Sequence, residues 1–282
     1  MTGTDDRPSG SPPAAPLAVV VDRWVARWGL VVEDVIAVSA CTRVVGTRRR
    51  DGSAAVLKVA VPHRESAFEG AALAHWDGDG AVRLLAADGD GGALLLERCR
   101  PGTALADRSP AEALDVLVAL LPRLWRPAGP PFVSLEDEAG HWRRDLPGAW
   151  RAAGEPFEGR LLDRALEEME RLLASAPEEV LVHQDLHAGN VLGAEREPWL
   201  VIDPKPVRAE PAFALAPVIR GPELGGERGD VHHRLDRLSA ELGVDRRRAA
   251  GWALVQTLAW AFDQGGVIPH HVDTARWLVE RL

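Results

Sequence analysis

The sequence predicts an α+β fold with a small N-terminal lobe built on an antiparallel sheet and a larger, mostly helical C-terminal lobe. Before residue 98, short apolar runs separated by turn signals surround one helical stretch. Beyond Pro101 and Gly102, apolar residues recur mainly at helical spacing. A chain of 282 residues can bury two cores. We therefore expect an N-lobe at residues 17–97 and a C-lobe at 98–282.

The N-terminal part contains a tail, two helices and five strands. Residues 1–16 are rich in Pro, Gly, Ser and Thr, so we expect them to be disordered. Asp51 and Gly52 form a strong hairpin signal between the second and third strands. The predicted elements are helices at 17–28 and 64–76 and strands at 31–40, 42–49, 54–61, 82–87 and 93–97.

The C-terminal part is predicted to be helical around one hairpin. Ser109, Pro110 and Glu112 form a capping box with proline at the first helical position. Residues 127–135 are a Pro-rich loop. The acidic run 136–138 after it is expected to be a solvated loop, with contact to a cationic substrate as the alternative. Apolar runs at 180–182 and 199–202 predict two strands paired as a hairpin. Helices are expected at 161–173, 211–220, 230–243, 246–264 and 270–282.

Composition excludes several classes of protein. The net charge of −9 disfavours nucleic acid binding and is compatible with a cationic small substrate. No apolar run approaches the ~18–20 residues of a membrane span, and the first residues lack the features of a signal peptide. The two cysteines, Cys41 and Cys99, cannot form a disulfide framework, which indicates a reducing, cytoplasmic environment.

The chemistry is concentrated in residues 183–190, with the sequence His-Gln-Asp-Leu-His-Ala-Gly-Asn. The predicted hairpin would bring Asp185, Asn190 and Asp203 to one end, because Asp203 ends the second apolar run. Phosphoryl transfer requires such a set. One carboxylate accepts the proton of the attacking hydroxyl, while an amide oxygen and a second carboxylate hold Mg²⁺ against the nucleotide phosphates. We expect His183 to hold the loop by hydrogen bonds.

Rare residues support this interpretation. Asn190 is the only asparagine, and Lys58 and Lys205 are the only lysines in a chain that otherwise uses arginine. Lys58 lies on a predicted strand ahead of a helix that carries Glu69, with Glu65 as the alternative partner, and such a Lys–Glu pair holds nucleotide phosphates in kinases. Lys205 follows Asp203 by two residues, which favours a compact positive charge near the transferred phosphoryl group.

Two further segments are candidates for nucleotide contact. Glu97, Arg98 and Cys99 connect the lobes, where main-chain groups would meet the adenine edge of ATP. Ser39 and Thr42 flank the link between the first two strands, where a phosphate-covering loop belongs, although it lacks the usual glycine pattern.

The motif at 183–190 and Ile-Asp-Pro-Lys at 202–205 resemble the aminoglycoside phosphotransferase superfamily, whose fold is like that of protein kinases. Segments 80–85, 93–98, 196–205 and 211–217 resemble its streptomycin 6-phosphotransferase and hydroxyurea phosphotransferase branch. The resemblance implies Asp185 as catalytic base, Asn190 and Asp203 as Mg²⁺ ligands, Lys58 with Glu69 on the phosphates, and residues 97–99 at the adenine. The family usually has glycine where this chain has Gln184.

We therefore expect an ATP-dependent kinase that phosphorylates a hydroxyl of a small molecule. The expected acceptor is streptomycin or a related cationic aminoglycoside. Alternatives are hydroxyurea or another small acceptor, a catalytically inactive nucleotide-binding regulatory module, and an Mg²⁺-dependent phosphatase or nuclease. An inactive regulatory module would be expected to lack one of Lys58, Asp185, Asn190 and Asp203. A phosphatase or nuclease would need clustered carboxylates for two metal ions. We expect a monomer or weak dimer.

Overall fold

The structure is a computed structural model that describes residues 17–61, 63–89, 92–175, 177, 179–263 and 266–282. The chain divides into two compact units. The first comprises the described residues up to His63 together with Leu84–Arg98, and the second comprises Arg64–Arg83 and Cys99–Leu282. The tail predicted at 1–16 lies outside the described residues. The lobe boundaries predicted from the sequence remain predictions.

The first unit is an antiparallel sheet with one helix packed on it. The strand order is β1-β2-β3-β5-β4. Helix α1 packs its apolar face, including Val21, on a core that contains Val45, Leu57 and Leu95 from three strands. The elements are α1 (Leu17–Trp28), β1 (Val31–Val38), β2 (Thr42–Arg48), β3 (Ala54–Ala60), β4 (Leu84–Ala87) and β5 (Ala93–Glu97). All five strands were predicted to within two residues at either end.

The β2–β3 hairpin turns where the sequence predicted it. Gly52 adopts a φ of 82°, a left-handed conformation that favours glycine. Its N–H donates to the Arg49 carbonyl at 2.9 Å, and Arg49 N–H donates to the Ser53 carbonyl at 2.9 Å. The register that follows pairs Val44 with Lys58, which places the lysine in the middle of the sheet.

The second unit is mainly helical, so the predicted α+β class is confirmed. Its helices are α2 (Glu69–Trp76), α3 (Pro110–Leu124), α4 (Leu135–Ala152), α5 (Gly159–Leu173), α6 (Pro211–Ala214), α7 (Ala216–Arg220), α8 (Arg228–Leu242), α9 (Arg246–Ala259) and α10 (Pro269–Val279). The capping box is present, since Ser109 Oγ accepts from Glu112 N–H at 3.4 Å and Glu112 Oε2 accepts from Ser109 N–H at 3.2 Å. No helix in the described ranges is both long and apolar enough to cross a membrane.

Several helices differ from the prediction. Helix α4 was not predicted, the helix expected at 211–220 is divided into α6 and α7, and the helix expected at 246–264 ends at Ala259. The helix expected from residue 64 begins at Glu69, because 64–68 form a turn. The acidic run at 136–138 is the first turn of α4 and not a loop: Ser134 Oγ accepts from Asp137 N–H at 3.1 Å as N-cap. Acidic side chains are favourable there because the helix dipole places positive charge at the N-terminus. Glu138 is buried and paired with Arg64, and burial raises the pKa of its carboxyl.

The strand pairing of the second unit corrects the predicted hairpin. The strands are β6 (Arg126–Pro127), β7 (Val180–His183), β8 (Val191–Gly193), β9 (Trp199–Val201), β10 (Pro206–Ala209), β11 (Phe262–Asp263) and β12 (Gly266–Val267). β7 pairs with β10 and β6, whereas β9 pairs with β8. Five residues connect β8 to β9, and so short a closure costs less chain entropy than the sixteen-residue connection from Val182 to Trp199.

Candidate active site

The motif at 183–190 leaves the end of β7 and turns back into β8, held by a buried histidine. His183 Nε2 lies 3.1 Å from the Ile202 carbonyl oxygen, and Asp185 N–H donates to His183 Nδ1 at 3.1 Å. A carbonyl can only accept, so Nε2 carries the hydrogen. Burial lowers the pKa of His183 to about 4, which keeps the ring neutral at pH 7. The structural role expected for His183 agrees with these contacts.

Asp185 is contacted by a cation at each oxygen of its carboxylate. Lys205 Nζ donates to Oδ2. Arg220 Nη2 lies 3.6 Å from Oδ1, which is an ion pair beyond hydrogen-bond length. Both cations lie over the ring of Trp260: Lys205 Nζ is 5.5 Å and the Arg220 guanidinium carbon 4.7 Å from its centroid. The candidate base is therefore fixed in orientation.

Asn190 and Asp203 lie together at one end of the β8–β9 hairpin. Val191 pairs with Val201, and Ile202 N–H donates to the Asn190 carbonyl at 2.9 Å, which extends the ladder by one step. Asn190 Nδ2 donates to the Asp185 carbonyl at 2.9 Å, so the side-chain oxygen is the atom left to ligate a cation. Asp203 has a φ of 53°, a left-handed conformation that is uncommon for a residue other than glycine.

These oxygen donors suit Mg²⁺, which prefers carboxylate and amide oxygens. The second unit therefore contains one candidate site formed by Asp185, Asn190, Asp203 and Lys205. The site was predicted from a hairpin that does not form. The His183 ring provides the connection that the predicted hairpin would have made. It links the end of β7 to the carbonyl of Ile202, the residue before Asp203.

Lys58 is buried in the middle of the first unit, with 9% of its surface exposed. It stands between Val44 of β2 and Leu94 of β5. A lysine there is no ordinary solvated residue, because its charge loses hydration. Its predicted partner Glu69 belongs to the second unit, is 3% exposed, and is the first residue of α2. The Lys58–Glu69 pair remains a prediction.

The predicted phosphate-covering loop is a tight turn closed by its own serine. Ser39 Oγ accepts hydrogen bonds from Cys41 N–H at 3.3 Å and Thr42 N–H at 3.0 Å. Ser39 N–H donates to the Thr42 carbonyl at 2.8 Å. Two amides that could approach a phosphate are thus occupied within the loop. Phosphate contact by Ser39 and Thr42 remains a prediction.

The connector residues lie at the end of β5. Glu97 pairs with Ala55 in the sheet, and Cys99 begins the main segment of the second unit. Arg98 makes a bidentate ion pair with Asp34, at 2.8 Å from Nη1 to Oδ1 and 3.0 Å from Nη2 to Oδ2. The adenine contact expected from main-chain groups of 97–99 remains a prediction.

Four residues that support the candidate base were not predicted from the sequence. Arg220 ends α7, Gln256 is in α9, Trp260 follows α9, and Glu223 lies in a short turn after α7. Glu223 Oε1 accepts from Ala188 N–H at 3.1 Å, which holds the 183–190 segment from another side. The only sequence signal was a lone arginine that ends an apolar helix, and that pattern is common.

Three histidines of the second unit contact main-chain carbonyl groups. His232 Nε2 lies 2.9 Å from the Trp277 carbonyl oxygen, and His270 Nε2 lies 3.0 Å from that of Arg220. His271 Nδ1 lies 2.9 Å from the Trp260 carbonyl oxygen, and burial lowers its pKa to about 4. These contacts fix the backbone beside the candidate site.

The antiparallel sheet of the first unit and the helices of the second are those of a protein-kinase-like fold. The family described as aminoglycoside/hydroxyurea antibiotic resistance kinase matches residues 27–265. The chain belongs to this family, which confirms the predicted superfamily and the prediction of an enzyme.

Individual relatives agree with this assignment. The chain is 39% identical over 254 residues to a hydroxyurea phosphotransferase of Kitasatospora aureofaciens, covering 88% of this chain and 74% of that protein. It is 37% identical over 261 residues to a streptomycin 6-kinase of Streptomyces glaucescens, covering 89% and 85%. The crystal structure of a spectinomycin phosphotransferase with ADP and spectinomycin superposes with a TM-score of 0.58 at 13% identity, covering 95% of this chain and 94% of that one.

Proposed function

We propose that this protein transfers the γ-phosphoryl group of ATP, with Mg²⁺, to a hydroxyl of a small molecule, and that the acceptor is streptomycin or a related aminoglycoside. The observation that carries the proposal is the geometry of Asp185: its main-chain carbonyl accepts from the Asn190 amide, and its carboxylate has a cation at each oxygen. Names of relatives support the acceptor class, and the ADP in the spectinomycin phosphotransferase structure supports the nucleotide.

In this proposal the oxygen of the acceptor hydroxyl attacks the γ-phosphorus, and the bond between that phosphorus and ADP breaks. Asp185 accepts the proton that the hydroxyl loses. Lys205 and Arg220 hold the carboxylate, and His183 fixes the backbone before it. Positioning of this kind supplies a large part of the rate in phosphoryl transfer, since the protein forms no covalent intermediate.

Asn190 and Asp203 would hold Mg²⁺, which neutralises charge on the nucleotide phosphates when bound. The support is the orientation of the Asn190 amide and the left-handed backbone of Asp203 at the same end of the β8–β9 hairpin. Lys58 with Glu69 would bind the phosphates, Ser39 and Thr42 would cover them, and the main chain of 97–99 would bind adenine.

Hydroxyurea is the second candidate acceptor, because a hydroxyurea phosphotransferase is the relative with 39% identity. Incubation with ATP and Mg²⁺ and each of streptomycin, hydroxyurea, spectinomycin and choline separates the acceptors. The mass increase of one phosphate per molecule is the readout. Phosphate on streptomycin supports the main proposal, whereas phosphate on hydroxyurea alone replaces it.

Replacement of the base tests the site. We expect Asp185→Asn to lower kcat about 10²–10⁴-fold, because the amide keeps the shape of the carboxylate and cannot accept the proton. Asp185→Ala should lose transfer equally, although it leaves the buried Arg220 without its carboxylate. ATP affinity by calorimetry and thermal melting should be nearly unchanged in Asp185→Asn. Transfer at the wild-type rate by that variant would rule out Asp185 as the base.

We further propose that the enzyme acts as a monomer or weak dimer in the cytoplasm. The sequence has two cysteines, too few for a disulfide framework, which supports a reducing compartment. Sedimentation of the purified chain tests the oligomeric state directly.

A further inference from the structure

Arg220 is a buried arginine that forms an ion pair with Asp185, the candidate base. It is 6% exposed. Burial lowers its pKa to about 10, with Asp185 and Glu223 acting in the opposite direction, so the guanidinium stays charged at neutral pH. A buried charge is costly unless other groups compensate it. Asp185, Gln256 and the face of Trp260 do so here.

Gln256 connects Arg220 to the main chain of the 183–190 segment. Arg220 Nη1 donates to Gln256 Oε1 at 2.6 Å. Arginine has no acceptor, so the amide oxygen must face it and the amide nitrogen must face away. That nitrogen donates to the carbonyl of Gln184, the residue before Asp185, at 2.9 Å. Arg220 is therefore linked to the segment at the Asp185 side chain and at the adjoining backbone.

A second buried arginine fixes the chain around Arg220. Arg234 Nε and Nη2 donate to the Ile219 carbonyl at 3.0 and 2.7 Å, and Nη1 donates to the Leu224 carbonyl at 2.8 Å. The carbonyls on both sides of the turn after α7 are thus held. Because Arg234 of α8 holds this backbone, the Arg220 side chain contacts Asp185 from a fixed main-chain position.

The two oxygens of Asp185 are consequently different. Oδ2 accepts a hydrogen bond from Lys205. Oδ1 faces Arg220 at 3.6 Å, close enough for attraction and too far for a hydrogen bond, so a lone pair of Oδ1 remains available for a substrate hydroxyl.

We propose that Arg220 is a positioning residue that, with Gln256, orients Asp185 so that Oδ1 receives the proton of the acceptor hydroxyl. The inference rests on the proposed function, in which Asp185 is the base. Arg220 does not touch ATP or acceptor in this proposal. Its loss should therefore change kcat and leave the KM for ATP unchanged.

The test is Arg220→Ala, assayed with whichever acceptor the wild type phosphorylates. We expect kcat to fall about 10–100-fold, the range for misplacement of a catalytic group by about 1 Å. Millimolar guanidinium chloride should restore part of the loss, because the ion can occupy the site vacated by the side chain. Sodium chloride at equal ionic strength should not.

Arg248→Ala is the matched control. Arg248 pairs with Glu210 at 2.7 Å, and Glu210 follows the end of β10 that is remote from His183 in the strand pairing. This variant also removes an arginine from a partly buried ion pair. It should keep the wild-type kcat and show no gain with guanidinium.

Gln256→Leu keeps the arginine and removes the bridge, so it serves if Arg220→Ala does not fold. We expect a fall in kcat of about 10-fold with an unchanged KM for ATP. A folded Arg220→Ala with wild-type kcat, or an unchanged kcat in Gln256→Leu, overturns the inference. Failure of the proposed function would look different, because Asp185→Asn would then stay active or the wild type would phosphorylate no acceptor.

Discussion

Lys205 has two possible roles that a single substitution separates. The sequence favoured a point charge near the transferred phosphoryl group, and the structure shows a hydrogen bond from Nζ to Asp185. We expect Lys205→Met, which keeps the length and removes the charge, to lower kcat about 10-fold or more with little change in ATP affinity. Stopped-flow turnover with calorimetric ATP titration provides both numbers.

A weaker ATP affinity in Lys205→Met, at a nearly unchanged kcat, would instead indicate contact with the nucleotide. Lys205→Arg is the informative control. It retains the charge but replaces a compact ammonium with a planar fork, so it should recover only part of the lost rate.

At the scale of single residues, the sequence was informative where a residue type was rare. Asn190 and Lys205 stand out in a chain with one asparagine and two lysines, and both lie beside Asp185. Arg220 is one of many arginines, and its importance depends on burial and on a partner 35 residues away. No local pattern encodes such a contact, so the sequence could not predict it.

At the scale of elements, hydrophobic period located β7 and β9 but paired them wrongly, and it missed β8 and β10. The apolar runs at β7 and β9 were identified, but their partners are β10 and β8. Val191, Leu192 and Gly193 form a three-residue strand too short for a periodic signal. Pro206 at the start of β10 also disguised a strand, since proline is disfavoured inside sheets. Pairing depends on closure and hydrogen bonds that a single run does not show.

Gly46 in β2 lets an ion pair cross the strand, and this feature gives a prediction. A Cβ at Gly46 would lie 2.1 Å from both Arg98 Nη1 and Asp34 Oδ1, so these side chains would have to separate. We expect Gly46→Ala to lower the free energy of unfolding by about 1 kcal/mol, the upper range for an exposed bidentate pair. Urea unfolding measures the change.

The same substitution in an Arg98→Ala background provides the control. With the pair already absent, the added methyl group meets only the flexible end of Asp34, and its cost should approach zero. An equal cost in both backgrounds would show that the effect arises from the strand backbone and not from the ion pair.

At the scale of the molecule, hydrophobic period and turn signals predicted the class of fold, and the motif predicted the family. The antiparallel sheet and the mainly helical remainder both followed from these signals. Helix α4 was missed because the three acidic residues of its first turn look like a solvated loop unless the N-cap Ser134 is considered with them. The acceptor was not predictable to one molecule, since specificity depends on contacts between distant segments.

The buried His183 and the half-buried His271 predict how the stability of the whole molecule depends on pH. Burial lowers the pKa of His183 and of His271 to about 4, from 6.5 in the unfolded chain. Between these values the unfolded chain binds the proton and the folded one does not, so acidification favours unfolding. The stabilisation is therefore complete above pH 6.5 and is lost progressively as the pH falls toward 4.

We expect each histidine to reduce the free energy of unfolding by about 1–2 kcal/mol between pH 7 and pH 5. His271→Asn should flatten this slope, because the Asn amide can still donate to the Trp260 carbonyl and does not titrate. His233→Asn replaces an exposed histidine of α8 and should leave the slope unchanged. Urea unfolding at several pH values supplies the comparison. Equal slopes for both variants would show that His271 is not held neutral by burial beside Arg220, and that the acid sensitivity arises elsewhere.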